Sequence, residues 1–347
     1  MPFTLAELQF RPTDDVFELA RKFPRYVQKY LHSSQQTCSW RLYYKREACV
    51  SLARERKIKD PVSVRLLYFE CAFNVLDSRY PIKEDDLFAL AGMRMQILHG
   101  DYRADIHKIG FLTQPTNERL LDLIPSQMVQ RATPTVGISF GVQRAPRFND
   151  WEDRIYREHA KHKGKPRMIM HLLYLQLVRT YAFYGSTFFS ACTQEPPQGH
   201  FEYRDRTLQL GVNAEGVYVI DPAKAAVLAS HNYDDINWDV QQDSLVLEYG
   251  PTNAPLMMVL ISPQARMAAS IIAHAIKLLD ERDAQYEKRE GLLRNKGADI
   301  SGVLGKMRFA QSRRRRGQRR RRRGRRRLSP WRISEDDVEE LSCIYRM

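Results

Sequence analysis

Residues 167–192 read Arg-Met-Ile-Met-His-Leu-Leu-Tyr-Leu-Gln-Leu-Val-Arg-Thr-Tyr-Ala-Phe-Tyr-Gly-Ser-Thr-Phe-Phe-Ser-Ala-Cys, and the hydrophobic period changes inside them. Met170, Leu173, Tyr174, Leu177 and Tyr181 recur every three or four residues, which is the repeat of one helix face. Residues 186–192 are instead a short run rich in aromatic side chains, the pattern of a strand. Gly185 stands at the switch. Helices are therefore expected upstream of it and a sheet downstream, an α+β arrangement.

Upstream, Asp60 can cap a helix that Pro61 enters, with Val64, Leu67, Tyr68, Cys71 and Val75 on its core face and an end near Ser78. A second helix follows Pro81, placing Leu87, Leu90, Ala91, Met95 and Leu98 toward a core, and Gly100 sits where a helix C-terminus favours it. Residues 110–149 read as a connector, punctuated by prolines at 115, 125, 134 and 146, with one short helical piece at 118–129. Residues 151–163 and 167–181 complete a helical lobe. Downstream, seven short runs (186–192, 207–210, 217–220, 226–231, 236–240, 245–249 and 256–261) are bounded by turn signals such as Asn213-Ala-Glu-Gly216. A helix capped by Ser262 and entered at Pro263, with Ala268, Ile271, Ile272, Ala275 and Leu279 in one stripe, closes this unit. Seven strands and a closing amphipathic helix are the layout of a pleckstrin-homology or phosphotyrosine-binding-like (PH/PTB-like) domain.

The ends differ from this body. In the first sixty residues Val16, Leu19, Ala20 and Phe23 keep helical spacing and residues 40–44 read as a short strand, a partial domain at most. The chain of 347 residues has a formal charge of +14, but residues 313–327 hold 12 arginines and no acid, and without them the balance is 43 basic against 41 acidic residues, a net of +2. That run, Arg313, Arg314, Arg315, Arg316, Arg319, Arg320, Arg321, Arg322, Arg323, Arg325, Arg326 and Arg327, cannot bury enough apolar area to offset ordering and is expected to be a disordered polyelectrolyte. Three readings stay open for it: nuclear import or RNA contact, attachment to anionic lipid, and a solubilising tail. No aromatic interrupts it, so base stacking is not indicated. Residues 333–347 carry five acids that could fold weakly back on the arginines. Cys38, Cys49, Cys71, Cys192 and Cys343 include no close pair and read as buried thiols of a reducing compartment. Neither a signal pattern nor an apolar run of ~18 residues occurs, so the expectation is a soluble intracellular chain.

Several stretches carry a family resemblance. Asp60-Pro-Val-x-Val-x-Leu-Leu-Tyr68, Val75-Leu-x-x-x-Tyr80-Pro81 and Leu90-Ala-Gly-Met-x-Met-Gln-Ile-x-x-Gly100-Asp-Tyr102 resemble the opening of the second lobe of a FERM domain, the three-lobed membrane-linker module. His107-Lys-x-Gly-Phe-Leu112, Trp151-Glu-x-x-Ile155 with Glu158-His159, and Tyr184-Gly-x-x-Phe188-Phe189 resemble its talin-head and myosin-tail branches. The resemblance covers residues 40–280. It implies a partial or degenerate ubiquitin-like first lobe over 1–59, where Trp40-Arg-Leu-Tyr-Tyr-Lys45 is similar to a last strand. It implies further an acyl-CoA-binding-protein-like helical central lobe over 60–184, a PH/PTB-like C-terminal lobe over 185–281, and a polar helix extension with the arginine tail over 282–347. The talin branch meets anionic lipid through lysines near the His-Lys-x-Gly-Phe-Leu stretch, and here Lys108 is the one obvious counterpart.

The function the resemblance implies is a non-catalytic adaptor, without cofactor or metal, at the cytoskeleton or membrane periphery of the cytoplasm. Its partners would be a receptor's cytoplasmic tail with an Asn-Pro-x-Tyr-like turn or another short peptide, phosphoinositide or anionic membrane, and cytoskeletal proteins. The alternative is a nuclear or RNA-associated protein acting through its arginines. No phosphate-binding Gly-x-x-x-x-Gly-Lys loop, Gly-x-Ser-x-Gly elbow or His-Glu-x-x-His helix is present. His159 and His162, beside Glu158, could hold a metal only with further ligands and read as solvated helix surface. Asp234-Asp235 reads as turn chemistry. In phosphotyrosine-binding-like lobes the fifth strand is an edge that accepts a peptide as an added strand. Ile236, Trp238 and Val240, on one face of residues 236–240, together with Ile271 and Ala275 of the closing helix, are therefore candidates to line a peptide groove. The competing reading is that they only join helix to sheet.

Overall fold

A computed structural model describes residues 15–31, 45–114, 116, 118–132, 148–193, 206–241, 243–251 and 254–295. The first-lobe strand expected at 40–44, Cys38, Cys343 and all twelve arginines of the tail lie outside the described residues. Helix α1 (Val16–Leu31) follows the expected spacing and contains Pro24. A single turn, α2 (Leu52–Glu55), leads into the helical lobe: α3 (Pro61–Leu76), α4 (Glu84–His99), α5 (Glu118–Leu121), α6 (Ser126–Ala132), α7 (Phe148–Ala160) and α8 (Arg167–Val178).

Local chemistry explains the boundaries. The Asp60 carboxylate accepts the Ser63 N–H at 2.8 Å, satisfying one of the orphan donors of α3, and Pro61 fills the first position, where no donor is needed. Three acids, Glu84, Asp85 and Asp86, occupy the first turn of α4 and complement its dipole. The core joins Val64, Tyr68, Cys71 and Val75 of α3 to Leu87, Leu90, Ala91 and Met95 of α4, Trp151 and Ile155 of α7, and Met170, Tyr174 and Val178 of α8.

The α4–α7 contact is unusually close. A Cβ on Gly92 would stand 2.5 Å from Glu158 Cβ and 2.8 Å from the His159 nitrogen, so only glycine lets the two helices approach. This contact overturns the expectation for the histidines. His159 and His162 are buried rather than solvated, because the α7 flank that carries His159 is the one facing α4.

Strands β1 (Thr187–Cys192), β2 (Thr207–Val212), β3 (Gly216–Asp221), β4 (Ala226–Asn232), β5 (Ile236–Gln241), β6 (Ser244–Tyr249) and β7 (Leu256–Ile261) follow. They form one antiparallel sheet in the order β4-β3-β2-β1-β7-β6-β5. A register shift at Val219/Ile220 bends β3 against β4, as bulges do. The sheet curls so that His231 of β4 lies 4.3 Å, centroid to centroid, from Tyr249 of β6, although the two strands stand far apart in sheet order. Helix α9 (Ala265–Asn295) begins three residues after Ser262 and packs its first half on β5 and β6. The Ser262 hydroxyl, besides accepting from the Gln264 N–H, donates to the Ser190 carbonyl at 2.7 Å and ties the helix start to β1. Cys49 and Cys71 are buried as expected, whereas Cys192 at the end of β1 is only half-buried.

Candidate peptide-docking edge

Strand β5 has β6 as its one partner among the described residues, which makes it an edge. The Val240 N–H donates to its neighbour's carboxylate, Asp239 Oδ1, at 2.9 Å and so turns away from β6. By the alternation of an antiparallel ladder, Ile236, Trp238 and Val240 present their N–H and C=O groups outward, while Asn237 and Asp239 pair inward. The same three residues direct their side chains to the face that α9 covers.

They are not equally accessible. Ile236 is 5% exposed, and Ile271 and Ala275 of α9 are 3% and 1% exposed, all three within the core of the sheet lobe. Trp238 and Val240 are half-buried and rest on that core from outside, as do Ile276, Leu278 and Leu279 of α9. Trp238 and Val240 on the strand, and Ile276 and Leu279 on the helix that packs on β5, thus remain half-buried against the core that holds Ile236, Ile271 and Ala275. Leu279 was marked by the helical stripe; Ile276, one position past Ala275, carried no separate signal.

Charge on this half of the sheet is one-sided. Residues 225–265 contain five acids, Asp234, Asp235, Asp239, Asp243 and Glu248, and no lysine or arginine. Asp235 and Asp239 are exposed, and Glu248 accepts a hydrogen bond from Asn237 at 2.9 Å across the β5–β6 ladder. Asp234 and Asp235 fall in the β4–β5 turn, closed by Asp235 N–H to Asn232 O at 3.0 Å. Burial pushes the His231 imidazole pKa down, against the opposing pull of Asp235.

A buried ionic junction holds the sheet against the helices, and nothing in the sequence pattern announced it. Glu55, 1% exposed, accepts from Arg46 Nε, from Arg179 Nε at 2.8 Å and from the Tyr184 hydroxyl at 2.7 Å. Arg46 also donates to the carbonyls of Val50 at 2.5 Å and Gly185 at 3.1 Å. Gly185 has φ +71°, and a Cβ there would meet the Arg46 guanidinium at 2.4 Å, which explains the glycine at the switch between periods. Asn213 completes the joint: its amide donates to the carbonyls of Ala182 and Tyr184 at 2.9 and 3.0 Å, and its Oδ1 accepts from the N–H groups of Glu215 and Gly216.

Lys108 is exposed on the helical lobe, where its carbonyl accepts the Tyr156 hydroxyl at 3.1 Å, far from the edge in sequence. Among the described residues no helix is long and apolar enough to cross a membrane. No group of three His, Cys, Asp or Glu side chains among them is placed to hold a metal.

Comparison with known proteins agrees with this architecture. Residues 53–189 match the model of the FERM central domain, and residues 207–271 match that of the KRIT1/FRMD8 FERM domain C-lobe. The chain is 27% identical over 213 residues to FERM domain-containing protein B of Dictyostelium discoideum, covering 60% of this chain and 40% of that protein. It is 25% identical over 297 residues to human FERM domain-containing protein 8, covering 79% and 62%. It therefore spans less than two thirds of the length of either relative. Among solved structures, the human myosin 7b C-terminal MyTH4-FERM domain, determined in complex with the harmonin-a PDZ3 domain, superposes with a TM-score of 0.53 at 16% identity, over 77% of this chain and 48% of that one. The two matching models follow one another along the chain as the lobes do in the structure, so the chain carries a match to the FERM central domain over residues 53–189 followed by a match to a FERM C-lobe over residues 207–271.

Proposed function

We propose that this chain is a non-catalytic adaptor that holds an extended peptide along β5, with residues 60–184 and 185–281 acting as central and C-terminal lobes. The supporting observation is the edge of β5, which pairs with β6 alone among the described residues, beside the half-buried indole of Trp238. An added strand would pair with the outward C=O groups of Ile236, Trp238 and Val240 and the N–H groups of Ile236 and Trp238, and would compete with Asp239 for the Val240 N–H, while its alternate side chains rest on Trp238, Val240, Ile276 and Leu279. Ile236, Ile271 and Ala275 would fix the floor. The five acids of residues 225–265, with no lysine or arginine among them, favour a peptide with basic flanks along the strand side of the groove, while Lys277 stands exposed on the helical wall.

The partner class that fits is the membrane-proximal tail of a receptor, with cytoskeletal proteins engaged elsewhere, at the cytoplasmic periphery. Lipid contact would fall to Lys108 and to the arginines of 313–327, and RNA contact to the same arginines. Residues 1–59 would supply what remains of a first lobe.

Titration calorimetry of the full chain with a lysine-flanked Asn-Pro-x-Tyr peptide tests the edge. Trp238→Ala should weaken binding by about 1–3 kcal/mol, the range of an aromatic anchor, with a small change in Tm because the indole is only half-buried. A variant that melts many degrees lower yet binds the peptide like the parent would assign Trp238 to the core and remove the groove.

A further inference from the structure

Helix α3 has a second apolar face, opposite the one it gives to the core. Val62, Leu66, Phe69 and Phe73 are 55%, 40%, 54% and 49% exposed, at spacings of four, three and four, so they stand one above another along the helix. A monomer rarely leaves so many large apolar side chains contiguous without use. The rim is basic: Arg56, Lys57 and Lys59 are exposed just before α3, and Arg65 is exposed on the helix itself. Arg167 at the start of α8 joins them, since it and Arg65 both depress the His171 imidazole pKa, behind burial. Of the acids nearby, Asp60 is engaged as the helix cap and Glu70 accepts the Arg46 N–H at 2.7 Å.

A second copy of the chain is a poor occupant. Four half-exposed side chains offer a few hundred Å², below the roughly 800 Å² per partner of a stable pair, and two copies would bring like charges together. The chain carries a better one. Residues 334–347, Ser-Glu-Asp-Asp-Val-Glu-Glu-Leu-Ser-Cys-Ile-Tyr-Arg-Met, open with Ser334-x-x-Asp337, a helix-start pattern, and hold five acids. Their apolar residues Val338, Leu341 and Tyr345 repeat at three and four, the spacing of Leu66, Phe69 and Phe73. Residues 296–333, between the end of α9 and this segment, could extend about 120 Å, enough to reach any face of the molecule.

We infer that residues 334–347 dock as an acidic amphipathic helix on the exposed face of α3, setting Val338, Leu341 and Tyr345 against Leu66, Phe69 and Phe73 and their carboxylates against Arg65, Arg167 and the lysines before α3. This site is separate from the β5 edge and stands or falls without it.

The test uses the full chain with a photo-reactive benzoyl-phenylalanine replacing Phe69, an exposed position. Irradiation should give a cross-link within one molecule to residues 338–345, located by peptide mass spectrometry. Its yield should fall about fivefold or more with Asp336→Lys/Asp337→Lys/Glu339→Lys/Glu340→Lys, and also on raising salt from about 0.05 to 0.5 M. The thermal melt of each variant is measured alongside to show that it folds. Cross-links that join two molecules would assign the face to a dimer. Links to any other segment, or no link to residues 334–347, would overturn the inference, the last being the outcome if the acids pair with the arginines of 313–327 instead. A yield indifferent to charge reversal would also overturn it.

Discussion

Replacing Glu55 with alanine tests whether the ionic junction sets the mutual position of the two lobes. The carboxylate is 1% exposed and its two cationic partners, Arg46 and Arg179, are 7% and 10% exposed, so little water can take its place. Glu55→Ala would leave two guanidinium groups and the Tyr184 hydroxyl facing an apolar methyl. Breaking a buried pair by removing one partner costs about 3–5 kcal/mol, because the residual charge stays desolvated. With roughly 2–4 °C lost per kcal/mol in a body of this size, Tm should drop by about 10 °C. Glu55→Gln, which keeps an acceptor for Tyr184 and one arginine but removes the charge, should fall between parent and alanine. Differential scanning calorimetry of the full chain, repeated at high salt, is the assay. Because the site is buried, salt should change the difference between variant and parent little. A Glu55→Ala melt within about 2 °C of the parent would refute the reasoning and show that Arg46 and Arg179 find other acceptors.

Further outcomes follow from the same packing. Gly92→Ala should destabilise by about 1–3 kcal/mol, since its Cβ would stand 2.5 Å from Glu158 Cβ with backbone behind it; an unchanged denaturation midpoint would mean that α4 and α7 slide apart freely. Burial holds the imidazole pKa values of His99, His107, His159, His162 and His171 below the usual histidine value, with Arg119 adding to it at His99, the neighbouring His159 and His99 at His107, and Lys165 at His162. The unfolded chain then binds protons that the folded chain refuses, so stability is complete above about pH 6.5 and declines as pH falls through that unfolded value, levelling off below the depressed folded values. Urea midpoints between pH 8 and 5 measure this, and a midpoint that rises on acidification would contradict it.

How far the sequence could be read depends on the range of the interaction involved. Short-range signals were sufficient: Asp60 and Pro61 fixed the start of α3, and short runs of β-branched and aromatic residues between turn signals placed all seven strands within a few residues of their observed ends, because both cues act within a single segment. Long-range pairings left no periodic trace. Glu55 and Arg179 lie 124 residues apart and Arg46 and Gly185 lie 139 apart, so neither the spacing nor the composition of either segment announces the junction. His159 and His162 misled for a related reason. Polar residues three apart beside Glu158 read as a wet helix face until the partner helix is known, and it is Gly92, 67 residues earlier, that brings α4 against that flank. The second face of α3 was hidden differently: its core residues satisfied the expected stripe, and the apolar remainder looked like more of the same core.

A continuous series of hydrogen bonds and strand pairing runs from the junction to the edge through β1. Gly185 precedes β1 by two residues and is held by Arg46 on its carbonyl and by the Tyr80 hydroxyl, which accepts its N–H at 2.8 Å. Strand β1 in turn pairs with β7, and its Ser190 carbonyl anchors Ser262 at the start of α9, the helix that flanks β5. A peptide seated between β5 and α9 would therefore bind a surface whose helical wall is tied, through one strand, to the central lobe. Loosening Glu55 should reach the edge along this route by freeing the start of α9, without touching any residue of the edge itself. Binding that weakens in Glu55→Gln, at a temperature where the variant is fully folded, is what this linkage requires. An unaltered peptide affinity in that variant would show that the edge and the junction act independently.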